Sequence, residues 1–166
     1  RPKHLDATID ISERRACDAK PIDVGDARAV RRLQSFVWPD QLDRLRRLRA
    51  ALDLAATTPV VVDAERFSTW LVREVHPKAG CVTVVVQTVV EEHLTPATLQ
   101  ELNDAIASVG RRASSSAPVA YVRMEFRNDA YDMSIRVLPD REAVTICRSD
   151  GHAQDIRWLE GEARPE

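Results

Sequence analysis

Polar side chains able to do chemistry recur just after the apolar runs of this chain. Asp18 follows "ISERRAC", Asp63 follows "PVVV", Gln87 and Thr88 end "CVTVVVQT" with Glu91, Glu92 and His93 close behind, and Glu125 ends "VAYVRME". Ligands of open α/β sheets bind beyond the carboxyl ends of the strands, so these side chains are expected on one rim. A carboxylate there can accept hydroxyl or amino protons, and an imidazole can move a proton near neutral pH. Gln87, Thr88, Glu91, His93 and Glu125 are the candidate catalytic residues. Each rim residue also has a plain structural alternative. Asp63 is placed to cap the next helix, Asp18 to turn the chain with Lys20, and Gln87 and Thr88 to satisfy strand-end backbone. Glu125 has Arg123 and Arg136 as ion-pair candidates, and His93 reads as a surface loop residue.

Other chemistries find no support. None of the four histidines has metal-ligand spacing with another, so no metal centre is expected. There is no G-x-S-x-G elbow, and no cysteine has an evident histidine partner. The five glycines are too scattered to build a loop that cradles phosphate.

The elements that must position the rim are legible as alternating apolar patterns. Asp26 is a good N-cap for a helix with Ala27, Val30, Leu33, Gln34 and Val37 on one side. Pro39 suits the first turn of a second helix, whose buried stripe is Leu42, Leu45, Leu48, Leu52 and Ala55. Trp38 marks the break between the two, and Phe36, Val37 and Trp38 are expected to pin that corner to the sheet. A helix with Phe67, Trp70, Leu71 and Val75 on one face follows "PVVV". "CVTVVVQTVV" is β-branched almost throughout without alternation, which predicts a central strand of a parallel sheet, buried on both faces. Thr95 and Pro96 open a helix with Leu99, Leu102, Ile106 and Val109 at offsets of three and four. "PVAYVRMEF", "YDMSIRVLP" and "AVTICRSD" are strands with connections too short for a helix, hence antiparallel. In the middle one, Tyr131, Met133, Ile135 and Val137 should face the core, and Ile156, Trp158 and Leu159 form a docking patch near the end. The order predicts a layered α/β domain, a Rossmann-like mixed sheet with an antiparallel C-terminal edge. The expected organisation is an arm over 1–11, one domain over 12–160 and a charged tail over 161–166.

Length and charge narrow the field. The chain has 166 residues, 44% hydrophobic and 30% charged, which is ordinary globular composition for one domain. A net charge of −2 argues against a dedicated nucleic-acid binder. Arg44, Arg46, Arg47 and Arg49 share one helix with Asp40, Asp43 and Asp53 nearby, which reads as a self-paired solvated face. Three cysteines, with no C-x-x-C spacing, fit a reducing cytoplasm. No apolar run is long enough to span a membrane. The sequence begins at Arg1 rather than Met, and the expectation is either an experimentally trimmed chain or the later part of a longer protein.

Several stretches together are similar to a known family. "ACDAKPIDVGD", "SFVWPDQLDRLRRLRAAL", "PVVVDAERFSTWL", "CVTVVVQTVV" and "PVAYVRMEF" resemble the bacterial domain-of-unknown-function family 2332, from about Ser12 to Leu159. That likeness carries a second one, to class I S-adenosylmethionine-dependent methyltransferases. It implies a methyltransferase-like fold lacking its first strand and glycine-rich loop. It also implies Asp18 as the acid that holds ribose hydroxyls, Asp63 as the acid near adenine, and Gln87 with Thr88 beside the substrate. The family resemblance further implies a His-Ser pair where this chain has Gln87-Thr88, so the rim here lacks its usual titratable group. The function expected is a partial or degenerate methyltransferase-like domain, with S-adenosylmethionine as cofactor only alongside an upstream half. The competing expectation is a non-enzymatic module that self-associates through an unpaired sheet edge.

Overall fold

A computed structural model describes residues 6–58, 60–127, 129–151 and 155–159. The tail over 161–166 and the first five residues of the expected arm lie outside the described residues. The fold is mixed α/β and falls into two compact units, Ile9–Phe67 and Ser68–Glu166, the latter also taking Arg1–Thr8.

The smaller unit is built on two short parallel strands, β1 (Ala16–Asp18) and β2 (Val62–Ala64), with Cys17 opposite Asp63. Helices α1 (Ala27–Gln34) and α2 (Leu42–Thr57) lie between them in sequence. Asp26 caps α1 as expected, its carboxylate accepting from Arg28 N at 2.8 Å. The joint that follows differs from expectation. Gln41 N donates to Trp38 O at 3.0 Å, so Trp38, Pro39, Asp40 and Gln41 form a tight turn, and α2 begins only after it. Proline's fixed φ suits the second place of such a turn as well as it suits a helix start. Phe36 and Trp38 pin nothing: Trp38 is 71% exposed and Phe36 is exposed as well. The leucine stripe of α2 is also shallower than its spacing suggests. Leu45, Leu48, Leu52 and Ala55 are half-buried and Leu42 is exposed. Two of the α2 arginines are paired on the helix itself, Arg46 with Asp43 and Arg44 with Gln41 at the helix start.

The larger unit carries α3 (Phe67–Glu74), β3 (Thr83–Thr88), α4 (Pro96–Gly110), β4 (Val119–Arg127), β5 (Ala130–Leu138), β6 (Val144–Ser149) and β7 (Ile156–Trp158). The five strands form one mixed sheet in the order β3-β4-β5-β6-β7. β3 and β4 are parallel and joined through α4; the rest is the antiparallel meander that the short connections predict. Thr95 caps α4, accepting from Thr98 N at 3.2 Å, with Pro96 in the first turn. The core gathers Leu102, Ala105, Ile106 and Val109 of α4, Trp70 and Leu71 of α3, Val119 and Tyr121 of β4, and Leu138 of β5. α4 approaches β5 so closely at its end that a Cβ on Gly110 would stand 3.2 Å from Leu138 Cδ1.

Two expectations about this sheet fail. Among the described residues β3 has one neighbour, β4, which makes it an edge strand of this sheet rather than a central one. Its residues alternate in exposure, with Val82, Val84 and Val86 at 61%, 54% and 62%. An unbroken apolar run cannot distinguish a doubly buried strand from an edge strand with an uncovered apolar face. In β5 it is the polar set, Asp132 and Ser134 with Leu138, that is buried, while Met133 and Ile135 are half-covered and Val137 is exposed. Asp132 and Ser134 tolerate burial because Arg148 Nε donates to Asp132 at 2.9 Å and Arg123 Nε to Ser134 Oγ at 3.1 Å.

Truncating the core and truncating the exposed corner should therefore differ sharply. Leu102→Ala is expected to cost about 2–5 kcal/mol, and Trp38→Ala less than about 1 kcal/mol, read from urea-unfolding midpoints.

Candidate functional site

Parallel pairing sets up the rim of the larger unit. Val85 lies opposite Tyr121 and Gln87 opposite Arg123, so the odd-numbered residues Gln87, Tyr121, Arg123 and Glu125 share one face of the β3–β4 pair. After Thr88 the chain leaves the sheet abruptly. Val89 takes a left-handed φ of 54°, and a 3-10 turn, Glu91–His93, follows. A β-branched residue rarely adopts that conformation, at a cost of about 1–3 kcal/mol.

The side chains converge to hold that bend. Glu125, 4% exposed, accepts from Val90 N at 3.1 Å, from Glu91 N at 3.1 Å and from Gln87 Nε2 at 2.9 Å. Val89 N donates to Met124 O at 2.8 Å. Hydrogen bonds to a charged acceptor contribute about 1.5–3 kcal/mol each, enough to offset the strained φ. Gln87 in turn is fixed at both ends. Its Oε1 accepts from the Tyr121 hydroxyl at 2.8 Å, and its Nε2 also donates to Glu91 Oε1 at 3.2 Å. Glu91 accepts further from Arg123 Nη1 at 3.3 Å and Arg127 Nη2 at 2.7 Å. Burial pushes the Tyr121 hydroxyl far above the ordinary phenol range, against the opposing pull of Arg123, so it remains a donor.

This arrangement brings together three of the five catalytic candidates, Gln87, Glu91 and Glu125. Thr88 ends the strand with its side chain exposed. His93 is exposed and reaches Glu92 at 3.4 Å. Glu125 does not pair with Arg123 or Arg136, the partners its sequence position suggests, because two loop N–H groups and an amide reach it first. Chemically the cluster is closed. Gln87 does not titrate, Glu125 is engaged by three donors, and the tyrosine proton is committed to Gln87. Tyr121, Arg127 and Ser134 were not singled out by sequence reasoning. For Tyr121 the signal was present: once β3 and β4 are read as parallel, it falls on the face of Gln87 and Glu125.

In the smaller unit Asp18 and Asp63 stand on neighbouring parallel strands. Asp18 Oδ1 accepts from Lys20 N at 2.7 Å, the local turn expected of it. Asp63 lies within β2, four residues before α3, and Arg15 Nη2 reaches it at 2.9 Å. Burial, and after it the charges of Glu65, Asp18 and Asp63, push the Cys17 thiol up, so three carboxylates act on a thiol that stays protonated. Among the described residues, no group of three or more His, Cys, Asp and Glu could hold a metal ion. Among the same residues, no helix is long and apolar enough to cross a membrane.

The family described as "Uncharacterized protein conserved in bacteria (DUF2332)" matches residues 1–158. The chain belongs to this family. Neither a curated protein nor a solved structure matches it.

Two outcomes test the closed cluster. Glu125→Gln replaces an acceptor with a donor facing an N–H group and should cost about 1–3 kcal/mol, read from unfolding midpoints. Tyr121 keeps in the folded state a proton that the unfolded chain releases near pH 10. Its contribution is thus fully present below that range and is lost as pH rises toward the higher folded value. Tyrosinate absorbance from Tyr121, isolated by comparison with Tyr121→Phe, should appear only together with unfolding.

Proposed function

We propose that this chain works as a strand-accepting interaction module rather than as a catalyst in its own right. The observation that carries this reading is the β3 edge. Thr83 N donates to Pro118 O at 3.0 Å and Val89 N to Met124 O at 2.8 Å, so odd-numbered residues point their backbone groups toward β4. By the alternation of a strand, Val82, Val84, Val86 and Thr88 point theirs outward. Edges of this length are normally blunted by a charge, a proline, a bulge or a cover. β3 has none of the first three, and its outward residues are mostly exposed valines. The opposite edge of the same sheet, β7, is only three residues long. Addition of an extended apolar segment would satisfy the β3 backbone and set apolar side chains beside its exposed valines, a common mode of peptide recognition.

The second reading is a methyltransferase-like, Rossmann-like domain of partial or degenerate kind that holds S-adenosylmethionine. It is supported by the parallel β1–β2 pair with Asp18 at its carboxyl end, where such sheets bind nucleosides. Asp18 and Asp63 would accept the ribose hydroxyls and the adenine amine. Against catalysis stands the closed cluster around Gln87, where no side chain is poised to take a proton.

Residue-resolved amide exchange separates the readings. Adding a soluble, β-branched, lysine-flanked peptide should protect the amides of Val84 and Val86 and leave that of Val85, already bonded to β4, unchanged. Unprotected exchange at Val84 and Val86 with excess peptide and at high protein concentration would remove the module reading. For the second reading, calorimetric titration with S-adenosylmethionine and S-adenosylhomocysteine should give binding that Asp18→Ala abolishes; no heat from either ligand at millimolar concentration removes it.

A further inference from the structure

We propose that the occupant of the β3 edge is a second copy of this chain, paired antiparallel across a two-fold axis that passes through Val85. This rests on the strand-accepting reading and goes further by naming the partner and the register.

The first support is self-complementarity. With the axis at Val85, Val84 of one copy faces Val86 of the other, and Val82 faces Thr88. All four are residues whose N–H and C=O groups point away from β4, so facing residues exchange hydrogen bonds in both directions. A rotation about the sheet normal keeps the same side up. The exposed valines of the two copies therefore merge into one patch instead of ending on opposite faces, and apolar cross-strand pairs are the favourable kind.

The second support is the absence of charge repulsion. No charged residue lies within β3 itself, so none is forced against its own copy.

The third support is closure. A two-fold contact uses the same patch on both partners and leaves nothing to propagate. It consumes the six-residue edge, leaving only the three-residue β7 at each end of a continuous ten-stranded sheet. Association is thus expected to stop at two copies.

Sedimentation equilibrium of the 166-residue chain from micromolar to several hundred micromolar should show a reversible dimer. The double variant Val84→Lys/Val86→Lys changes two exposed side chains, so its fold, followed by circular dichroism, should persist while its dissociation constant rises at least about 100-fold. Val84→Glu/Val86→Glu alone should likewise be monomeric. Mixing the two variants should restore a one-to-one dimer, because the register sets lysines against glutamates. A native chain that is monomeric throughout overturns the proposal, as does a dimer whose affinity the lysines leave unchanged. In the first case, peptide-induced protection of Val84 and Val86 would leave the module reading standing, with a different strand as occupant; loss of that protection too would remove both.

Discussion

The larger unit depends at one end on a single buried carboxylate. The Glu125 carboxyl group is almost fully covered, and two consecutive backbone N–H groups and an amide are brought to it. A buried acceptor left without donors costs free energy, so the loop after β3 is held to a path that presents them. That path requires the left-handed turn at Val89. The positions of Gln87, Glu91, Tyr121 and the two arginines around Glu91 follow from the same demand.

The two boundaries of β3 are consequently opposite in kind. Its carboxyl end is a network in which donors and acceptors are matched within the chain. Its long side, among the described residues, has no neighbouring strand in its own sheet. Among the described residues the carboxyl end of β3 is given to holding the backbone, while the proposed binding uses the length of the strand.

Much of this architecture is legible in the sequence, for physical reasons that differ by element. Thr95-Pro96 and Asp26 announce helix starts because capping is a local matter of a few atoms, and both act as caps. The meander after Val119 follows from connection length alone. What the sequence hides is anything decided by a distant neighbour. "CVTVVVQTVV" reads as a central strand because periodicity reports that a residue is apolar and is silent on whether anything covers it. Trp38 reads as an anchor for the same reason. Asp132 and Ser134 read as outward-facing until Arg148 and Arg123, on the strands to either side, make their burial tolerable. The rim residues were found by a rule about strand ends. Their closure into a lock could not be, since it depends on which N–H groups a bent loop delivers.

The turn at Val89 also works as a length gauge. Because the chain swings out of the sheet there, the edge stops at Thr88 however apolar the following residues are, and Val89 and Val90 never become strand. Six residues at about 3.3 Å each leave roughly 20 Å of edge. A strand added there would meet a fixed stop at one end and could not slide to lengthen the pairing, so in the proposed contact a bend maintained by a buried carboxylate would set the register.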